Sequence, residues 1–90
     1  MYYVYILHSE RDSGWYIGYT GRSPEARLAL HNHGEVPSTK TRRPFTLIYY
    51  EAYIEREDAE GREQFLKSGA GRRYLKKQLA HHLEKSSIPR

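Results

Sequence analysis

Arg27 and His31 stand four residues apart, so on a helix their side chains rise from one strip of surface. A guanidinium keeps its charge at any working pH and is shaped to brace a phosphate as negative charge builds on it. Alone, a helical arginine is more often only solubilising. His31 can shuttle a proton or touch phosphate, though a surface histidine near a helix C-terminus needs no function. Glu63 is different in kind. It lies four residues after Ala59 and three before Leu66, on the side of a helix those two would turn toward the core. Burying a carboxylate is costly unless it binds a metal or pairs with a cation such as an arginine. Two tyrosine-bearing runs precede these residues, Tyr3-Val4-Tyr5 and Tyr16-Ile17-Gly18. A phenol can orient or deprotonate water when a neighbouring cation lowers its pKa from about 10, and either Tyr5 or Tyr16 can fill that role. Gly18, inside a strand-like stretch, marks either a bulge or a place where another group, a phosphate for one, must come close.

Charge points toward a polyanion. Residues 1–66 carry 8 Lys/Arg against 10 Asp/Glu, whereas residues 67–90 carry 7 against 1. A basic segment beside a mixed domain suits a phosphate backbone, which supplies affinity without sequence readout, although a solvated helix face has the same composition. The loop Ser38-Thr39-Lys40-Thr41-Arg42-Arg43-Pro44 adds hydroxyls and three cations ahead of a strand, and Lys40, Arg42 and Arg43 are its expected backbone-phosphate contacts. Ninety residues without a cysteine allow one small domain held by apolar, largely aromatic packing, with neither disulfides nor thiolate metal sites. The paired histidines His31/His33 and His81/His82 do not make a zinc site without cysteine. No apolar stretch spans a bilayer, and Met1-Tyr2-Tyr3 lacks the order of a signal peptide, so the expected location is the cytoplasm.

The elements that must position these groups read β-β-α-β-α-α. Tyr2 to Leu7 is a β-branched and aromatic strand that puts Tyr3, Tyr5 and Leu7 on one face and Tyr2, Val4 and Ile6 on the other. Asp12-Ser13-Gly14 turns the chain into an antiparallel partner, Trp15 to Tyr19. Ser23, Pro24 and Glu25 form a cap, an N1 proline and a first-turn acid, and Gly34 sits at the far end, which predicts a helix over 24–33. Phe45 to Tyr53 is a third strand whose near-continuous apolar character predicts a central place in the sheet. Glu55, Glu57 and Asp58 open a second helix that ends near Gly69. The Gly69-Ala70-Gly71 break then leads to a third helix from about Arg72, with Tyr74, Leu75, Leu79 and Leu83 as its apolar stripe. The expectation is an α/β domain over 1–85 with a small three-stranded sheet, mixed or antiparallel, flanked by helices, and a frayed tail over 86–90.

This ordered set, two tyrosine runs, then Arg27 and His31, then Glu63, resembles the GIY-YIG nuclease superfamily over roughly residues 2–75. The second motif appears as Tyr16-Ile17-Gly18 and the first as Tyr3-Val4-Tyr5, with Tyr3 in place of the leading glycine. The resemblance implies site tyrosines at 5 and 16, a catalytic arginine at Arg27, and a Mg²⁺ or Mn²⁺ ligand at Glu63 in the pattern Ala59-x-x-x-Glu63-x-x-Leu66-Lys67. A supporting asparagine and a lysine after the second motif, frequent in the family, have no clear counterpart; the one asparagine is Asn32.

The function so implied is metal-dependent hydrolysis of DNA phosphodiesters with low sequence specificity, in repair or recombination, with discrimination drawn from DNA structure or a partner protein. Two other classes fit the same composition. A non-catalytic nucleic-acid-binding module would bind in a salt-sensitive way without cleavage. A small ribonuclease would usually need no metal and would leave Glu63 unexplained.

Overall fold

A computed structural model describes residues 1–87. Its elements are β1 (Tyr2–Ser9), β2 (Trp15–Thr20), α1 (Pro24–Asn32), a 3-10 helix (Pro37–Arg42), β3 (Phe45–Tyr53), α2 (Arg56–Lys67), α3 (Gly69–Gln78) and α4 (Ala80–Ser87). No described helix is long and apolar enough to cross a membrane.

The three strands form one sheet in the order β2-β1-β3, and β1 is antiparallel to both neighbours. The sheet is thus the antiparallel one of the two types expected, because β2 and β3, which run the same way, are kept apart by β1. One expectation is corrected: the central strand is β1 and not β3. Val4, Tyr5, Ile6 and Leu7 are all at most 1% exposed, so both faces of β1 are covered. Tyr50 on β3 is 48% exposed, as an edge allows for an amphipathic ring. A register shift between Ile6 and Leu7 admits one extra β3 residue, since Ile6 faces Tyr49 and Leu7 faces Leu47.

The period of two along β1 separates two cores, as the alternation predicts. Tyr5, Leu7 and Phe45 pack with Tyr16, Leu28 and Leu47 beneath α1. Val4, Ile6 and Ile17 pack with Ala59, Leu66 and Leu75 from α2 and α3 on the opposite face. Helix α1 starts as its cap predicts, with Ser23 Oγ accepting from the Ala26 N–H and Pro24 in the first turn. Beyond its end, Gly34 takes the left-handed conformation (φ +78°). Asn32 then clamps β3, donating from Nδ2 to the Phe45 carbonyl at 3.0 Å and accepting the Phe45 N–H at 2.7 Å.

The C-terminal helices depart further from expectation. Gly69-Ala70-Gly71 is the first turn of α3 rather than a break, because Ser68 Oγ caps it by accepting the Gly71 N–H at 3.1 Å. The single third helix is divided at Leu79, whose backbone leaves the helical region, and Tyr74 is 41% exposed rather than part of a buried stripe. Ser86 and Ser87 belong to α4, and the remainder of the expected 86–90 tail lies outside the described residues.

Candidate active site

Strand β1 carries Tyr5 into the core beneath α1, where its hydroxyl meets two side chains of that helix. Tyr5 Oη lies 3.0 Å from His31 Nε2 and accepts from Arg27 Nε at 3.4 Å. His31 Nδ1 is 2.8 Å from Thr39 Oγ1, which itself donates to the Val36 carbonyl at 3.3 Å. That last bond fixes the direction of the chain. With its proton given to Val36, the Thr39 oxygen accepts from His31 Nδ1–H, which leaves Nε2 bare to accept the Tyr5 O–H. Tyr5, His31 and Thr39 are at most 1% exposed, so these bonds satisfy the polar atoms of nearly enclosed side chains.

The second tyrosine packs against this chain instead of joining it. The Tyr16 ring lies 4.9 Å from the His31 ring and 6.3 Å from that of Tyr5, and among the described residues its hydroxyl has no hydrogen-bond partner. Gly18, opposite Tyr5 in the register, is what admits the phenol. A Cβ there would sit 2.6 Å from Tyr5 Oη and 2.7 Å from its Cζ, so the group approaching Gly18 is the Tyr5 side chain.

Glu63 approaches from α2. Its side chain is only 16% exposed, and its partner is the Lys67 ammonium, one turn on, at 3.4 Å. A partly buried arginine–carboxylate pair is formed elsewhere, by Arg62 and Glu51 at 2.9 Å and 3.1 Å, with both Tyr49 and Tyr53 donating to Glu51. Glu63 is thus left with a half-buried carboxylate close enough to act on Tyr5. Burial pushes the Tyr5 phenol up, Arg27 opposes that by hydrogen bond and charge, and Tyr16 and Glu63 add to the rise. Among the described residues no three His, Cys, Asp or Glu converge as a metal cage. A single carboxylate in that position suits a magnesium-type ion, which keeps waters and takes its remaining ligands from substrate phosphate.

Burial first, and the Arg27 charge second, lower His31 from 6.5 to about 4. This ring is therefore neutral at neutral pH. The sign of its linkage to folding follows: the unfolded chain takes up a proton near 6.5 that the folded protein refuses until about 4. Stability from this group is complete above the higher value and is lost as pH falls across that window, by roughly 3 kcal/mol. Urea unfolding at stepped pH is expected to show this loss, and His31→Gln to flatten it. An equal slope in the variant would assign the effect to other groups. Glu51 acts lower on the scale; burial pushes it up, but bonds from Arg62, Tyr49 and Tyr53 outweigh that and hold it below its ordinary value.

The three loop cations divide. Arg42 is bound by Asp12, Nε to Oδ2 at 2.6 Å, and ties the 3-10 helix to the β1–β2 turn. Arg43 donates to the Lys40 carbonyl at 2.8 Å and the Asn32 carbonyl at 3.5 Å. Lys40 is exposed, and its ammonium has no partner among the described residues. Sequence reasoning placed His31 on the surface and offered the Thr39 hydroxyl to phosphate. The structure buries both and joins them, a pairing that their eight-residue separation did not signal.

Residues 1–78 match the GIY-YIG catalytic domain. A UPF0213 protein of Staphylococcus haemolyticus is 41% identical over 76 residues, which cover 83% of this chain and 90% of that one. A UPF0213 protein of Streptococcus pneumoniae serotype 4 is 41% identical over 66 residues, 72% of this chain and 65% of its own. One of Clostridium perfringens is 37% identical over 68 residues, 74% of this chain and 71% of its own. No solved structure matches. The matched span takes in all three strands and helices α1 and α2, and the chain belongs to the GIY-YIG family of nuclease domains.

Proposed function

We propose that this protein is a metal-dependent endonuclease that hydrolyses DNA phosphodiesters, with Tyr5 as the group that takes the proton from the attacking water. The hydrogen-bond chain Tyr5–His31–Thr39 beside Arg27 supports this reading above all. As water attacks phosphorus, its proton passes to Tyr5 Oη while the phenol proton passes to His31 Nε2. Thr39 accepts from the other ring nitrogen and keeps the imidazole in the receptive tautomer. Arg27, half-buried and fixed at Tyr5, donates to the phosphate oxygens on which charge accumulates. Phosphate bound there also offsets the cationic field that helps to depress His31, so substrate arrival makes the ring a better base. Glu63 would hold Mg²⁺ or Mn²⁺, which when bound supplies positive charge to the phosphate and the leaving oxygen.

Lys40 is the proposed backbone contact on the 3-10 helix, with Arg42 and Arg43 contributing charge while held to Asp12 and to backbone carbonyls. Discrimination would come from DNA shape, as at the branched or damaged sites of repair and recombination in the cytoplasm, or from a partner protein.

Nicking of supercoiled plasmid and of a labelled branched duplex, with Mg²⁺, Mn²⁺ or EDTA, tests the reading. Cleavage is expected with either metal and not with EDTA. Arg27→Ala is expected to lose about 10²–10³-fold in rate and Glu63→Gln at least as much, both with DNA binding retained. Salt-sensitive binding with no cleavage in the intact protein would instead assign it to the non-catalytic class.

A further inference from the structure

Across the sheet from the Tyr5 cluster, the β1–β2 turn and helices α3 and α4 border an open cavity of about 210 Å³. Trp15, Ile17, Leu75 and Leu83 supply apolar walls, and Arg72 and Lys76 line it as well. The volume exceeds what a lone ion needs and falls short of the roughly 300–1,000 Å³ of sites for drug-sized molecules, so it suits a single flat heterocycle. Arg72 and Lys76 are one helical turn apart and project on the same strip of α3. Arg72 Nε donates to the Lys67 carbonyl at 3.3 Å, but neither cation is ion-paired among the described residues. Asp12, the acid next to Ser13 in the turn, is already neutralised by Arg42. An aromatic and aliphatic pocket under two unpaired cations selects a ligand with a planar ring and an anionic group. A nucleotide has both.

The position of Trp15 connects this cavity to the catalytic cluster. Trp15 and Tyr16 are successive residues of β2 and therefore project to opposite faces. Because β2 is an edge strand, a nucleic acid chain crossing that edge reaches both faces without passing through the fold. We propose that the cavity is a nucleotide subsite for the DNA strand being processed, holding one unstacked base against Trp15 with its phosphate on Arg72 and Lys76. This rests on nucleic acid as the substrate, not on cleavage.

Trp15 is the one tryptophan of the chain, so its emission reports the cavity directly. The Glu63→Gln protein, in which cleavage is expected to be slowed, is titrated with a short oligodeoxyadenylate, with dAMP and with inorganic phosphate. The oligonucleotide, and dAMP at higher concentration, are expected to quench or shift Trp15, and inorganic phosphate is not. The exposed substitutions Arg72→Gln and Lys76→Gln together are expected to raise the half-saturating oligonucleotide concentration about tenfold or more. Unchanged emission while anisotropy shows the oligonucleotide bound would overturn the subsite. So would an equal response to inorganic phosphate, tighter binding of dAMP than of the oligonucleotide, or indifference of the double variant. Since the signal needs no turnover, it is decided separately from whether the intact protein nicks DNA.

Discussion

Tyr5→Phe is expected to slow DNA cleavage by about 10²–10⁴-fold while leaving DNA binding intact. The change deletes one oxygen, and that oxygen is the only atom shared by His31 and Arg27 in the buried chain. Water then has no acceptor connected to the imidazole, and Arg27 loses the contact that fixes its guanidinium. The stability cost is modest, about 1–3 kcal/mol, because His31 Nε2 becomes a buried acceptor without a donor. Tyr16→Phe is the informative comparison. Its hydroxyl has no partner among the described residues and its ring remains over His31, so both stability and rate should change less. Single-turnover cleavage by the two variants, with melting curves as the folding control, separates them. A larger rate loss in Tyr16→Phe would move the proton acceptor from the first run to the second.

Gly71→Ala is expected to cost more than about 4 kcal/mol and to lower the melting temperature by some 15 °C or more. The reason is backbone contact. A Cβ at position 71 would lie 1.8 Å from the Phe65 carbonyl oxygen and 2.6 Å from Leu66 Cα, and neither atom can swing aside. Relieving the clash means driving α3 from α2, which opens the core at the fully buried Leu66 and Leu75. It also shifts the helix that carries Glu63. Gly61→Ala is the matched control, since a Cβ there meets nothing within 4 Å in the interior of α2. That substitution should stabilise by roughly 0.5–1 kcal/mol through helix propensity. Thermal melts of both variants decide this, and a near-native Gly71→Ala would show that the α2–α3 corner is more yielding than the contact distances require.

The sequence by itself determined the features set by short-range physics. The Ser23-Pro24 start of α1 rests on a hydroxyl three residues from the N–H it caps, and the two faces of β1 follow from the period of two. Glu63 stood out because a carboxylate beside Ala59 and Leu66 violates the apolar side of its own helix, and it is indeed mostly shielded. Family resemblance supplied the expectation that these parts share one site. Tertiary structure decided what depends on partners distant in the chain. Whether a strand of tyrosines is central or at an edge is a matter of which strand has neighbours on both sides, and β3's own residues do not carry that information. His31 looked like a surface residue at a helix end until α1 docked on the sheet, 26 residues from Tyr5 in the chain but 3.0 Å from it in space. The same docking drew Thr39 inward, gave Arg42 to Asp12, and distinguished Tyr5 from Tyr16, since only one of the two phenols reaches a base. Residue type and spacing specify which groups are available for chemistry, whereas proton acceptors and burial are properties of pairs, and those pairs exist only once the helices close over the sheet.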